Sequence, residues 1–108
     1  MCYSKVNGTT FREKEMGRPL PWDDMEEGHP LTLEREPHNA YDPNAIKILW
    51  KGTHIGYIPR NTAETVAKLI DDGKLNFWAV IDCITGGEKG KEQKGINIRI
   101  MYSKKEVN

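Results

Sequence analysis

Ala45-Ile46-Lys47-Ile48-Leu49-Trp50-Lys51-Gly52-Thr53-His54-Ile55-Gly56-Tyr57-Ile58-Pro59 is the stretch on which the fold turns. Ile46, Ile48 and Trp50 fall on one side of an extended chain and Lys47 and Leu49 on the other, the period-two alternation of a strand with one buried face. Lys51-Gly52-Thr53 supplies a turn, so that His54 to Ile58 runs back antiparallel. Pro59, with no N–H to give a ladder, ends the run. A β-hairpin is therefore expected at the centre of the chain.

Upstream, Leu31 and Leu33 alternate with Thr32 and Glu34 in a further strand that ends at Pro37. The connection between the two, Arg35-Glu36-Pro37-His38-Asn39-Ala40-Tyr41-Asp42-Pro43-Asn44, is a specified loop, because proline, asparagine and aspartate each fix local geometry in their own way. Binding groups concentrate on such loops when a rigid scaffold holds them. Cys2 to Phe11 reads as a first strand with a bend at Gly8, and Arg12 to Pro21 as a charged loop. Trp22 to Gly28 reads as one helical turn with Asp23 as N-cap.

Downstream, Asn61-Thr62-Ala63-Glu64 has the form of a capping box, and Ala63, Val66, Ala67 and Ile70 make one apolar stripe. Gly73 stands where that helix should stop. Phe77 to Thr85 carries apolar groups on both faces, with Ala79, Ile81 and Cys83 together, and reads as a central strand. Gly86 to Gly95 reads as a mobile surface loop, and Ile96, Ile98 and Ile100 mark a last strand. Short strands, one hairpin and one secure helix, without regular βαβ alternation, predict a mainly β fold: a small antiparallel barrel with one or two helices. The 108 residues are expected to form a single domain, with its core at about residues 3–103 and a charged tail at 104–108.

Sixteen Lys and Arg balance sixteen Asp and Glu, so a basic footprint for nucleic acid must be local if it exists. Cys2 and Cys83 form no CxxC; they read as free thiols, with one disulfide left open by spacing alone. No apolar run approaches the roughly 18 residues of a membrane span, and no basic-then-apolar leader opens the chain. A soluble, cytoplasmic protein is expected, with no membrane partner. His29, His38 and His54 are scattered without metal-ligand spacing, so that only His38, Asp42 and His54 suggest a metal site at all. No nucleophile elbow or P-loop occurs. Neither catalysis, a metal nor another cofactor is expected.

Val6-x-Gly8 with Phe11, Gly28-x-x-Leu31-x-Leu33-x-Arg35-Glu36-Pro37, Asn39-x-Tyr41-Asp42-Pro43-Asn44-Ala45-Ile46 and Ile55-Gly56-Tyr57-Ile58-Pro59-Arg60, in this order, closely resemble the HIRAN domain. The resemblance runs from about Tyr3 into the last strand. It implies a modified OB-like β-barrel carrying helices. It further implies a module that binds single-stranded DNA and captures its free 3′ end, as in the fork-remodelling helicases that carry the domain. Without a helicase segment the chain looks like a standalone or excised version, for which a helicase or nuclease would be the partner and repair at replication forks the setting. A DNA ligand would place it at the nucleoid or nucleus.

On that resemblance Tyr41 would stack on the terminal base, Asp42 would accept a hydrogen bond from the 3′-OH, and Arg12 and Arg60 would hold phosphates, with Phe11 and Tyr57 beside them. Plainer readings stand next to these. Asp42 can make an Asx-turn with Tyr41 packed beneath it, Phe11 can be core, Tyr57 can be barrel packing, and Arg60 can pair with Glu64. Lys89, Lys91, Lys94 and Arg99 either extend a backbone-tracking groove or form a solvated loop. Trp22, Trp50 and Trp78 read as core or rim packing. The alternative function is a protein-interaction or accessory module that keeps the barrel without binding DNA.

Overall fold

In a computed structural model that describes residues 2–88 and 93–106, the elements run β1 (Cys2–Lys5), α1 (Thr9–Met16), β2 (Pro30–Arg35), β3 (Ile46–Trp50), β4 (Thr53–Tyr57), α2 (Arg60–Asp72), β5 (Leu75–Thr85) and β6 (Gly95–Lys104). The central hairpin forms as read. Lys51 and Gly52 both take positive φ, 45° and 81°, the geometry whose twist matches antiparallel strands. All strand pairs are antiparallel, in the order β1-β6-β5-β2-β3-β4.

The two edge strands of that order meet. Asn7 N–H donates to the Tyr57 carbonyl and Tyr57 N–H to the Asn7 carbonyl, each at 2.9 Å, so the sheet curls into a barrel with a one-pair seam. Gly56 makes the seam possible: a Cβ there would stand 2.5 Å from both the Asn7 oxygen and Val6 Cγ1. Inside lie Ile46, Ile48, Ile55, Ile81, Ile96, Ile98 and Ile100, fully buried, and α2 adds Ala63, Val66 and Ala67 from the stripe read in the sequence. β-branched side chains suit the pleated, buried surface they occupy.

Five local expectations are corrected. The first strand stops at Lys5 and does not reach Phe11. Gly8, at φ 81°, turns the chain into α1 where a loop was expected from Arg12. Only Thr9 of α1 is buried, so no apolar stripe announced the helix; Glu13 Oε2 instead anchors it by accepting from Leu20 N–H at 2.8 Å and Trp22 Nε1–H at 2.9 Å. Trp22 to Gly28 makes the single turn expected, closed by Met25 N–H on the Pro21 carbonyl, but it starts at Pro21 and has no Asp23 cap. At α2 the helix begins two residues early, with Pro59 and not Asn61 at the N-cap, and Asn61 Oδ1 accepts only the Thr62 N–H; the capping box is not made.

In β5 a bulge between Ile81 and Cys83 shifts the alternation. Ile84, opposite Ile96, takes the core-side position expected of Cys83. The strand is interior to the sheet as expected, although Trp78 on its outer face is exposed. Both cysteines are free thiols, which resolves the open pairing. Gly73 ends α2 at φ 77° as read. Of the expected Gly86–Gly95 loop and the tail, residues 89–92 and 107–108 lie outside the described residues. No described helix is long and apolar enough to cross a membrane.

Candidate functional site

Tyr57 sits opposite Lys47 in the β3–β4 ladder, on the face turned away from Ile46 and Ile48. On that outer face β4, the β2–β3 loop and the first turns of α1 and α2 enclose a cleft of about 570 Å³. The fold brings all six sequence-predicted residues to its walls: Phe11, Arg12, Tyr41, Asp42, Tyr57 and Arg60. The seam is responsible, because the Asn7–Tyr57 pair followed by the turn at Gly8 lays α1 beside β4.

The loop is built by its own side chains. Asn39 Oδ1 accepts the N–H groups of Tyr41 and Asp42 at 2.9 and 3.1 Å, and Asp42 Oδ1 accepts that of Asn44 at 2.9 Å. The Asx-turn reading of Asp42 is therefore realised, while Tyr41 is not packed beneath it: the residue is 88% exposed. Arg35 fastens the loop to the barrel. Its Nη1 donates to the Pro43 and Ala45 carbonyls at 2.9 and 3.0 Å, and Nε and Nη2 fork onto the Asp71 carboxylate of α2 at 3.0 and 2.9 Å.

Arg60 turns to the loop and not to Glu64. Nη2 donates to the Tyr41 carbonyl at 2.6 Å, and Nε lies 3.5 Å from Asp42 Oδ2. Phe11 is 61% exposed, so the core reading fails for it. Arg12 is mostly covered, donating from Nε to the His54 carbonyl at 3.1 Å and from Nη1 to Glu15 Oε2 at 2.8 Å. Tyr57 donates its hydroxyl to Glu36 Oε1 at 2.7 Å and meets the His54 ring edge-on.

Glu36, Asn39 and Lys47 were given no binding role and His54 was weighed only as a metal ligand, yet all four line the cleft. Burial pushes the Glu36 carboxyl up, but hydrogen bonds from Tyr57, Asn39 and Lys47 outweigh it and hold the group below its ordinary value. Burial and then the Glu36 bond push the Tyr57 phenol up to about 12. Burial, and then the Arg12 charge, hold His54 below its ordinary 6.5. The neutral ring must carry its proton on Nε2, which donates to the Gly56 carbonyl at 3.0 Å. One signal for these residues was available: Glu36 and Asn39 belong to the specified loop, and Lys47 alternates with the core positions of β3.

These two depressed groups set a pH dependence. Each binds protons more readily in the unfolded chain, so the stability they contribute is complete above the unfolded pKa and is lost as pH falls through the folded one. Stability should start to fall below pH 6.5 through His54 and fall further below 4.5 through Glu36. Urea unfolding at about pH 7.5 and about pH 5.5 checks the first step, which His54→Gln should diminish.

Lys94 and Arg99 do not line the cleft; Lys94 lies over the Trp22 ring and Arg99 beside Asp82, while Lys89 and Lys91 lie outside the described residues. Trp50 is core, Trp22 packs against the core, and Trp78 is exposed. Among the described residues no group of three or more His, Cys, Asp or Glu is placed to hold a metal ion.

The fold is that of a crystal structure of the HIRAN domain of human HLTF, with TM-score 0.68 and 18% identity over 95% of this chain and 75% of that one. A crystal structure of a protein from Lactobacillus plantarum is similar at TM-score 0.67 and 21% identity, covering 93% of this chain and 92% of that one. In sequence the chain is 44% identical over 52 residues to a Fanconi-associated nuclease 1 homolog of Oryza sativa subsp. japonica, covering 44% of this chain. It is 38% identical over 52 residues to the helicase-like transcription factor of Mus musculus, covering 47% of it. The chain spans only 5% of the length of each of these relatives. The HIRAN domain family profile matches residues 1–104, nearly the whole chain, and the chain belongs to that family.

Proposed function

We propose that this chain is a non-catalytic single-stranded DNA-binding module that takes a free 3′ end into the cleft. HIRAN domains are a DNA-binding family, and the observation that carries the reading here is the cleft itself. Two aromatic rings left exposed by the fold, Phe11 and Tyr41, share its walls with Arg12, Lys47 and Arg60. Tyr41 stacks on the terminal base, and Arg60 and Arg12 attract the neighbouring phosphates.

The cleft also holds Glu15, Glu36 and Asp42, three carboxylates against three cations. That balance disfavours a groove that merely tracks phosphates and favours an end. Asp42 Oδ1 is committed to Asn44 N–H, while Oδ2 is free of any backbone bond and can accept from a 3′-hydroxyl. A terminal phosphate would bring negative charge against Asp42 instead. The relatives named as nuclease and helicase-like proteins suggest a repair or replication-fork enzyme as the partner, or as the remainder of the protein, within the cell.

Fluorescence titration tests this. A 3′-OH oligonucleotide should bind at least about tenfold more tightly than its 3′-phosphate counterpart and than duplex, and Tyr41→Ala should weaken it by about tenfold, the worth of one stacked base. Log affinity should fall with log salt at a slope of about −2 if three cations are engaged. Equal affinity for both ends removes the end-reading role. No binding at low salt leaves the accessory protein-interaction reading, which the neutral cleft would then explain.

A further inference from the structure

On β1, β6 and β5 the isoleucines at 96, 98 and 100 point inward, so Tyr3, Lys5, Arg99, Met101 and Trp78 share the outer face. Tyr3 lies directly opposite Arg99, and Trp78 opposite Met101 on the next rung. Tyr3 is 65% exposed and Trp78 36%. Resting on the cleft reading above, we propose that this outer face is a second contact surface for single-stranded nucleic acid, which carries the strand away from the cleft in the 5′ direction.

Continuity with the cleft is the first argument. The outer positions of β1 and the residues after it run Tyr3, Lys5, Asn7, all exposed, and Asn7 is both a cleft wall and half of the seam. Four residues of strand cover about 13 Å, room for about four nucleotides stacked at ~3.4 Å each. Charge is the second. The face sets Lys5 and Arg99 against one described carboxylate, Asp82, which lies 3.6 Å from Arg99, whereas the whole chain is neutral.

The arrangement of the rings is the third argument. Tyr3 and Trp78 stand two strands apart, about 10 Å, with Arg99 on the strand between them. Rings separated by a cation suit alternating bases and phosphates.

The experiment uses the intact chain and 3′-OH oligothymidines of about three and about ten nucleotides, read by anisotropy. The longer should bind about tenfold more tightly. Tyr3→Ala and Trp78→Ala should each lose about tenfold for the longer oligonucleotide alone, as one lost stack would, and Trp78→Phe, which keeps a ring, should retain most of the affinity. Equal affinity for both lengths, with 3′-end preference intact, overturns the track and leaves the cleft reading standing. Unchanged binding of the longer oligonucleotide by both alanine variants overturns it as well. Length dependence that Trp78→Ala abolishes, without any 3′-end preference, supports the track and sinks the cleft reading instead.

Discussion

Gly56→Ala should lower the unfolding free energy by about 3 kcal/mol, the sum of an overpacked contact and two strained hydrogen bonds. The new methyl group would sit 2.5 Å from the Asn7 carbonyl oxygen, which is itself held by the Tyr57 N–H. The Asn7 carbonyl on one side is backbone and Val6 Cγ1 on the other is a buried, branched side chain, so there is little room to yield and relief requires parting the seam. Gly73→Ala is the informative comparison. Nothing lies within 4 Å of a Cβ there, so its cost is limited to the left-handed backbone, about 1 kcal/mol. Urea unfolding of the two variants should therefore separate them by about 2 kcal/mol, and similar losses would mean that Gly56 matters only as a flexible residue. Because α1 follows the seam directly, Gly56→Ala should also displace Phe11 and Arg12 and weaken the proposed DNA binding.

Arg35→Ala should cost about 2–3 kcal/mol, since charge-assisted hydrogen bonds are lost and two loop carbonyls are left unpaired. It should weaken the proposed 3′-end binding about as much as Tyr41→Ala although Arg35 contacts no candidate ligand group: without its clamp, the loop that presents Tyr41 and Asp42 loses its tie to Asp71 and is left with the one through the exposed Arg60. Arg35→Lys keeps the charge but cannot fork onto Asp71 while holding two carbonyls, so it should resemble the alanine variant more than the parent. The discriminating measurement is the ratio of affinities for 3′-OH and 3′-phosphate ends. A loop-positioning role lowers that ratio in both variants. A purely structural role lowers stability and leaves the ratio of the folded fraction unchanged.

The hairpin, the specified loop and the α2 stripe were legible because each obeys a local rule: alternation, turn chemistry or a 3.6-residue period. α1 obeys none. It is flanked by Gly8 and Gly17 at positive φ, which was its one local signal, and its anchors are Leu20, Trp22 and the His54 carbonyl, which only the tertiary fold brings near. The bulge in β5 was invisible for a related reason, since one unpaired residue reverses the inside and outside of everything after it. The six candidate side chains were named from the resemblance and the loop. That Glu36 and Lys47 meet Tyr57 is a cross-strand fact: loop membership and alternation hinted at the two residues, but their partner follows from the register that sets Tyr57 opposite Lys47.

The seam between Asn7 and Tyr57 has a kinetic consequence. A strand end seated in the cleft would touch groups on both sides of it, from α1 on one flank and from β4 and its neighbouring loop on the other. Opening the barrel at its weakest join would then require the ligand to leave first. On the proposed reading the complex would unfold no faster than the strand end leaves, so that the bound ligand sets a lower limit on the lifetime of the folded barrel.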